Sequence, residues 1–122
     1  MSGAASPWPT ELRLNSDKDL LTIRFEDGEH YELAAEYLRV ESPSAEVQGH
    51  GPIERIFVPG KRHVRITALE PVGHYAVRII FDDGHDSGLF TWSYLRELGQ
   101  THDEKWPAYL EGLASTGLKR EN

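Results

Sequence analysis

Apolar and polar residues alternate along several stretches of this chain, and each stretch predicts a half-buried strand. Leu12 and Leu14 alternate within 10–15, Leu21, Ile23 and Phe25 within 20–26, and Tyr75, Val77, Ile79 and Phe81 within 74–82. Asp27-Gly28 and Asp83-Gly84 follow the last two. Both predict tight hairpin turns, because glycine tolerates the positive φ such turns need. Tyr31 and Leu33 continue the first return strand, and His85 to Phe90 supplies the second. His63 to Glu70 predicts a further strand, with Pro71-Val72-Gly73 as its connecting turn. A helical period takes over at 34–40, with Leu33, Tyr37 and Leu38 inward, and at 91–98, with Gly99 as the stop. Trp92 and Tyr94 read as core-facing aromatics of that second helix. Trp106, Leu110 and Leu113 predict a last helix with Pro107 in its first turn and a frayed end after Ser115.

Laid side by side, these elements form an echo. Phe25-Glu26-Asp27-Gly28 returns as Phe81-Asp82-Asp83-Gly84, an offset of 56 (81 minus 25). Tyr37-Leu38-Arg39 returns as Tyr94-Leu95-Arg96, an offset of 57 (94 minus 37). A fixed-period repeat dictates architecture. The expected fold is α+β: a mostly antiparallel sheet from two pseudo-repeated ββα units plus a C-terminal helix. Residues 1–9 read as a flexible tail, 10–100 as the domain, and 101–122 as the helix with its frayed end. Residues 41–62 form a long irregular connection, of the kind that is often functional or mobile.

Composition narrows the functional classes. The 122 residues suit one domain with a modest core. A net charge of −7 argues against binding nucleic acid or an anionic membrane surface. The chain has no cysteine, hence no disulfide, thiolate metal site or cysteine nucleophile. No apolar run is long enough to span a bilayer, and the first nine residues lack a signal-peptide pattern. A cytoplasmic protein is expected.

Candidate chemistry is sparse. Asn15, Asp17, Asp19 and Glu26 mimic a calcium loop, but Leu20 stands where the sharp turn needs glycine. On a strand, His85 and Ser87 would share a face and Asp86 would point away, so Asp86 could not orient His85 as in a triad. His30 and Glu32 share a face and, with His85 or His50, offer a route to an iron or zinc site. Gly49-His50-Gly51-Pro52 lacks the Lys-Ser/Thr of a phosphate loop. Lys61-Arg62-His63-Val64-Arg65 is a small basic cluster that could steer an anionic partner.

Several of these segments together resemble a known family. They are Trp8 to Leu14, Tyr37 to Glu46, Gly49-His50-Gly51-Pro52 and Gly84 to Leu95, and the stretch from His85-Asp86-Ser87-Gly88 to Tyr94-Leu95 is the most specific. The resemblance is to the bacterial domain-of-unknown-function family related to the N-terminal domain of gamma-butyrobetaine hydroxylase. That domain also occurs appended to ATPase-type carriers of iron–sulfur cluster assembly. In the hydroxylase it holds a structural zinc through three cysteines and one histidine. The resemblance places those ligands at Ser42, Ser44, Val47 and His85. Two hydroxyls and a valine cannot replace thiolates around zinc, so the expected cofactor is none, with iron or zinc through His85 as the alternative. The hydroxylase's catalytic iron belongs to a separate jelly-roll domain for which this chain has no room, so oxygenase activity is not carried over. The resemblance implies a non-catalytic accessory domain with an unknown protein partner, possible homodimerisation, and a link to iron–sulfur or iron-enzyme biology. Residues singled out for interaction are His50, His85, Ser87 and Trp92.

Overall fold

The computed structural model describes residues 8–43 and 57–121. The first unit is β1 (Pro9–Leu14), β2 (Leu20–Phe25), β3 (His30–Ala34) and α1 (Ala35–Val40). The second is β4 (Ile66–Val72), β5 (Ala76–Phe81), β6 (Leu89–Thr91) and α2 (Trp92–Gln100), followed by α3 (His102–Ser115). Each unit forms a three-stranded antiparallel sheet with its strands in chain order. The architecture is therefore α+β and duplicated, and each unit is βββα where ββα was expected, because the strands predicted at 10–15 and 63–70 belong to the repeat. Even the irregularities repeat. Register slips between Pro9 and Glu11 against β2, and between Ile66 and Ala68 against β5, positions 57 residues apart (66 minus 9).

Alternation decides which faces are buried. Leu21, Ile23, Phe25 and Leu33 from one sheet meet Val77, Ile79, Phe81 and Phe90 from the other in a single core, with Tyr37, Leu38, Leu95 and Leu98 from the helices. Every residue of α1 is buried, Glu36 and Arg39 included, and burial continues through Glu41 and Ser42. A second, smaller cluster joins Val40 of α1 to Tyr109 and Leu113 of α3, with Phe57, Val58 and Trp106 against it.

Several boundaries differ from the sequence expectation, each for a local reason. Tyr75 is 55% exposed, because β4 runs through Val72 and Tyr75 falls in the turn before β5 instead of extending its buried face. Gly99 does not stop α2, which ends at Gln100. It lies inside the helix, where the Tyr31 ring rests on it so closely that any Cβ would collide. α3 begins at His102, so Pro107 is interior and not in its first turn. Asp103 and Glu104 in the first turn complement the positive end of the helix dipole and favour that earlier start. Past Ser115 the chain is tied down: Gly60 N–H donates to the Lys119 carbonyl at 2.9 Å and Arg62 N–H to that of Arg120 at 3.1 Å.

Candidate functional site

The two hairpin turns are copies down to single hydrogen bonds. Asp27 Oδ1 accepts the Glu29 N–H at 3.1 Å, and Asp83 Oδ1 accepts the His85 N–H at 3.1 Å. Gly28 and Gly84 sit at φ of 92° and 89°, where a side chain would be strained. The second oxygen of each aspartate is taken by the arginine of the opposite unit. Arg39 Nε donates to Asp83 Oδ2 at 2.8 Å, and Arg96 Nη2 to Asp27 Oδ2 at 2.7 Å. The tyrosines cross over in the same way. Tyr37 O–H donates to the Leu98 carbonyl at 2.7 Å and Tyr94 O–H to the Glu41 carbonyl at 2.5 Å. Those carbonyls are again 57 residues apart (98 minus 41). Each hydroxyl thus satisfies a carbonyl at the C-terminal end of the other unit's helix, where the helix itself leaves none of its own donors.

The symmetry breaks at three positions, and there the second turn acquires a distinct site. Where the first unit has Glu29, the second has His85. Where the first has Tyr31, the second has Gly88. Where the second has Gly99, the first has Ser42. A Cβ on Gly99 would lie 2.4 Å from the Tyr31 ring, and one on Gly88 2.4 Å from Ser42 Oγ. Each glycine leaves room that the opposite unit fills. On one side the Tyr31 hydroxyl donates to Glu29. On the other, Ser42 Oγ and His85 Nε2 share a hydrogen bond of 2.9 Å, with Ser42 0% and His85 5% exposed.

Charge gathers beside this pair. Lys61 Nζ lies 2.6 Å from Asp83 Oδ2, which also accepts from Arg39. Burial pushes the Asp83 carboxyl up, but hydrogen bonds from Lys61, the His85 amide and Arg39 outweigh it and hold the group at about 2. A shallow cleft of about 270 Å³ opens there, lined by Gly60, Lys61, His63, Val64, Asp82 and Asp83. Two side chains of the basic cluster beside it are paired, Lys61 with Asp83 and Arg62 with Glu121 at 3.5 Å, while Arg65 bonds Asp82 through its backbone N–H.

The remaining candidates scatter. Residues 85–88 are not a strand; His85 turns into the core and Ser87 is exposed, so the two do not share a face. His30 and Glu32 are exposed on edge strand β3, paired across the sheet with Arg24 and Thr22. Among the described residues no three of His, Cys, Asp and Glu converge as metal ligands. Trp92 is half-buried and donates its Nε1–H to the His74 carbonyl at 2.9 Å. Ser44, Val47 and His50 lie outside the described residues. Of the carried-over ligand positions, Ser42 and His85 do meet, but two neutral hydroxyls, a valine and one imidazole do not form a donor set for zinc. Asp83 bonds the His85 amide and not its ring, so the orienting contact of a catalytic triad is missing from this carboxylate. The sequence pattern assigned Arg39 and Asp83 no part in a site and Lys61 only a place in the basic cluster; the repeated Asp-Gly and Leu-Arg pairs were the signal that could have found the first two. No described helix is long and apolar enough to cross a membrane.

These features define a duplicated α+β domain whose two halves are joined, among the described residues, by hydrogen bonds of Tyr37, Arg39, Ser42, Tyr94 and Arg96. The chain belongs to the family described as gamma-butyrobetaine hydroxylase-like, N-terminal, whose model matches residues 12–96. It is similar to a protein whose NMR solution structure is 47% identical, with a TM-score of 0.81, over 96% of this chain and 92% of that one. A second NMR solution structure is 41% identical, with a TM-score of 0.83, over 98% and 89%. A crystal structure of a DUF971-family protein of unknown function from Acidithiobacillus ferrooxidans is 39% identical, with a TM-score of 0.64, over 78% of this chain and 98% of that one. Comparison with curated proteins gave no match.

Proposed function

We propose that this domain is a non-catalytic accessory module that binds a partner protein, with residues 10–100 as the working unit and 101–122 as an appended helix and strap. The observation that carries the reading is the Ser42–His85 bond. The two groups that would be most reactive at the site face each other in the core at 2.9 Å, and the neighbouring Asp83 is held by two cations. Such an arrangement, buried from solvent, stiffens the junction between the units and leaves neither group open to a substrate from bulk water. Family membership points the same way, and on the resemblance the partner belongs to iron–sulfur or iron-enzyme biology.

Recognition then falls to the surface around the second turn. Ser87 and the 41% exposed Leu89 project from the return segment that the buried His85 anchors, and an anchored loop presents its exposed residues at low entropic cost. The test is affinity capture from the native host with the wild type and with Leu89→Asp, whose thermal stability should match. A partner retained by the wild type and lost with the variant supports the reading. Equal retention, or no specific partner under gentle lysis, contradicts it.

A further inference from the structure

We propose that α3 and the strap behind it form an exchangeable element, and that its second acceptor is another copy of this chain, giving a reciprocally swapped dimer hinged at Thr101. One residue separates α2 from α3, and its backbone leaves the helix while its N–H and carbonyl stay in the helical hydrogen-bond ladder. Thr101 lies at φ −110° and ψ 15°, about 50° from helical values in each angle. Its N–H donates to the Glu97 carbonyl at 2.9 Å, and its carbonyl accepts the Lys105 N–H at 2.9 Å. The i to i−4 ladder therefore reaches Thr101 from both sides. What interrupts it is Tyr37: the Leu98 carbonyl, which an unbroken helix would pair with the His102 N–H, accepts the Tyr37 hydroxyl instead. Turning Thr101 helical would fuse 92–115 into one helix about 36 Å long and carry α3 away from its own body.

The body is fitted both to lose that element and to receive it. The family match ends at residue 96, before α3 begins. α3 has its own small cluster with Val40, and it touches the main core only along one edge, where Trp106 and His102 meet the Tyr37 ring. The acceptor face is chemically specific. Buried Glu36 takes both Arg120 Nε and Nη2, at 2.8 and 2.7 Å, and Arg120 also stacks 5.2 Å above the Trp106 ring. A helix-and-strap bearing Trp106, Tyr109, Leu113 and Arg120 complements that face, and a second copy supplies an identical one. Exchange remakes every such contact between chains, so the balance is set by the hinge against the entropy lost on association.

Light scattering after size exclusion, at concentrations from micromolar to millimolar, reads the balance. Thr101→Ala should raise the dimer fraction about five- to tenfold and Thr101→Gly should lower it, since alanine favours and glycine disfavours the fused helix. In a dimer assembled from isotope-labelled and unlabelled chains, nuclear Overhauser contacts between Tyr109 or Leu113 and Val40 should cross from chain to chain. Monomer throughout for the wild type and Thr101→Ala overturns the proposal. So does a dimer in which those contacts stay within each chain.

Discussion

Arg39 and Asp83, 44 positions apart in sequence, are bonded at 2.8 Å, and the same bond recurs between Arg96 and Asp27. The equivalent pairs differ in setting. The Asp83 and Arg39 side chains are 18% and 4% exposed, against 37% and 15% for Asp27 and Arg96. Removing one member of a buried pair strands the other charge, whereas an exposed pair is replaced by water. Asp83→Ala should destabilise the fold by about 3 kcal/mol, and Asp27→Ala by far less. Chemical denaturation of the two variants checks this; equal losses would show that the pairs are equivalent in energy as well as geometry.

The same carboxylate sets an acid limb of stability. Asp83 titrates at about 2 when folded, below its ordinary 3.8. A group depressed in the folded state contributes stability above its unfolded value and loses it as pH falls through the folded one. The contribution should be complete above about pH 4 and disappear between about 4 and 2. After allowance for solvent screening it amounts to about 1–2 kcal/mol. The stability gap between wild type and Asp83→Asn should narrow across that window, followed by denaturant titration at each pH.

Gly88 and Ser42 should prove coupled. In Gly88→Ala the new methyl would meet Ser42 Oγ at 2.4 Å and the Phe90 ring at 3.0 Å, an overpacking of about 2–3 kcal/mol. Ser42→Ala alone removes the hydrogen bond to His85 and should cost about 1–2 kcal/mol. Combined, the smaller side chain makes room for the methyl, so the double variant should be milder than the sum by about 1 kcal/mol or more. Strict additivity in a double-mutant cycle would place the strain elsewhere.

Arg120 should matter to stability although it lies outside every helix and strand. Glu36 is 8% exposed and receives both guanidinium bonds. Arg120→Ala should destabilise by about 2–4 kcal/mol. Glu36→Gln added to it should recover part of that loss, because the group left behind no longer carries charge. Thermal melts of the single and double variants distinguish this from simple loss of the strap's packing, which the second change would not restore.

Much of the fold was legible because its repeat is marked by local chemistry. Asp-Gly turns fix their own geometry within four residues, and Tyr-Leu-Arg marks matching helix positions. The crossing of bonds between units was not legible: Arg39 reaches Asp83 and Tyr37 reaches Leu98 only after the two sheets have packed. The false stop at Gly99 has the same origin. In isolation a glycine reads as a helix terminus, and only the Tyr31 ring from the other unit shows that its missing Cβ is needed for close approach. The start of α3 was obscured because Thr101 lends it no side-chain cap. At the candidate site, resemblance alone brought Ser42 and His85 together. Neither periodicity nor spacing relates two residues 43 positions apart in different units.

The central claim is that His85 and Ser42 bind each other and not an ion. The most direct measurement is the imidazole nitrogen NMR spectrum of His85 during titration of the untagged protein with zinc, and with ferrous iron under anaerobic conditions. The Nε2 resonance is expected to hold the position of a hydrogen-bonded nitrogen through one equivalent of either metal, and to move in Ser42→Ala without any metal. A shift of that nitrogen saturating at one equivalent would contradict the claim.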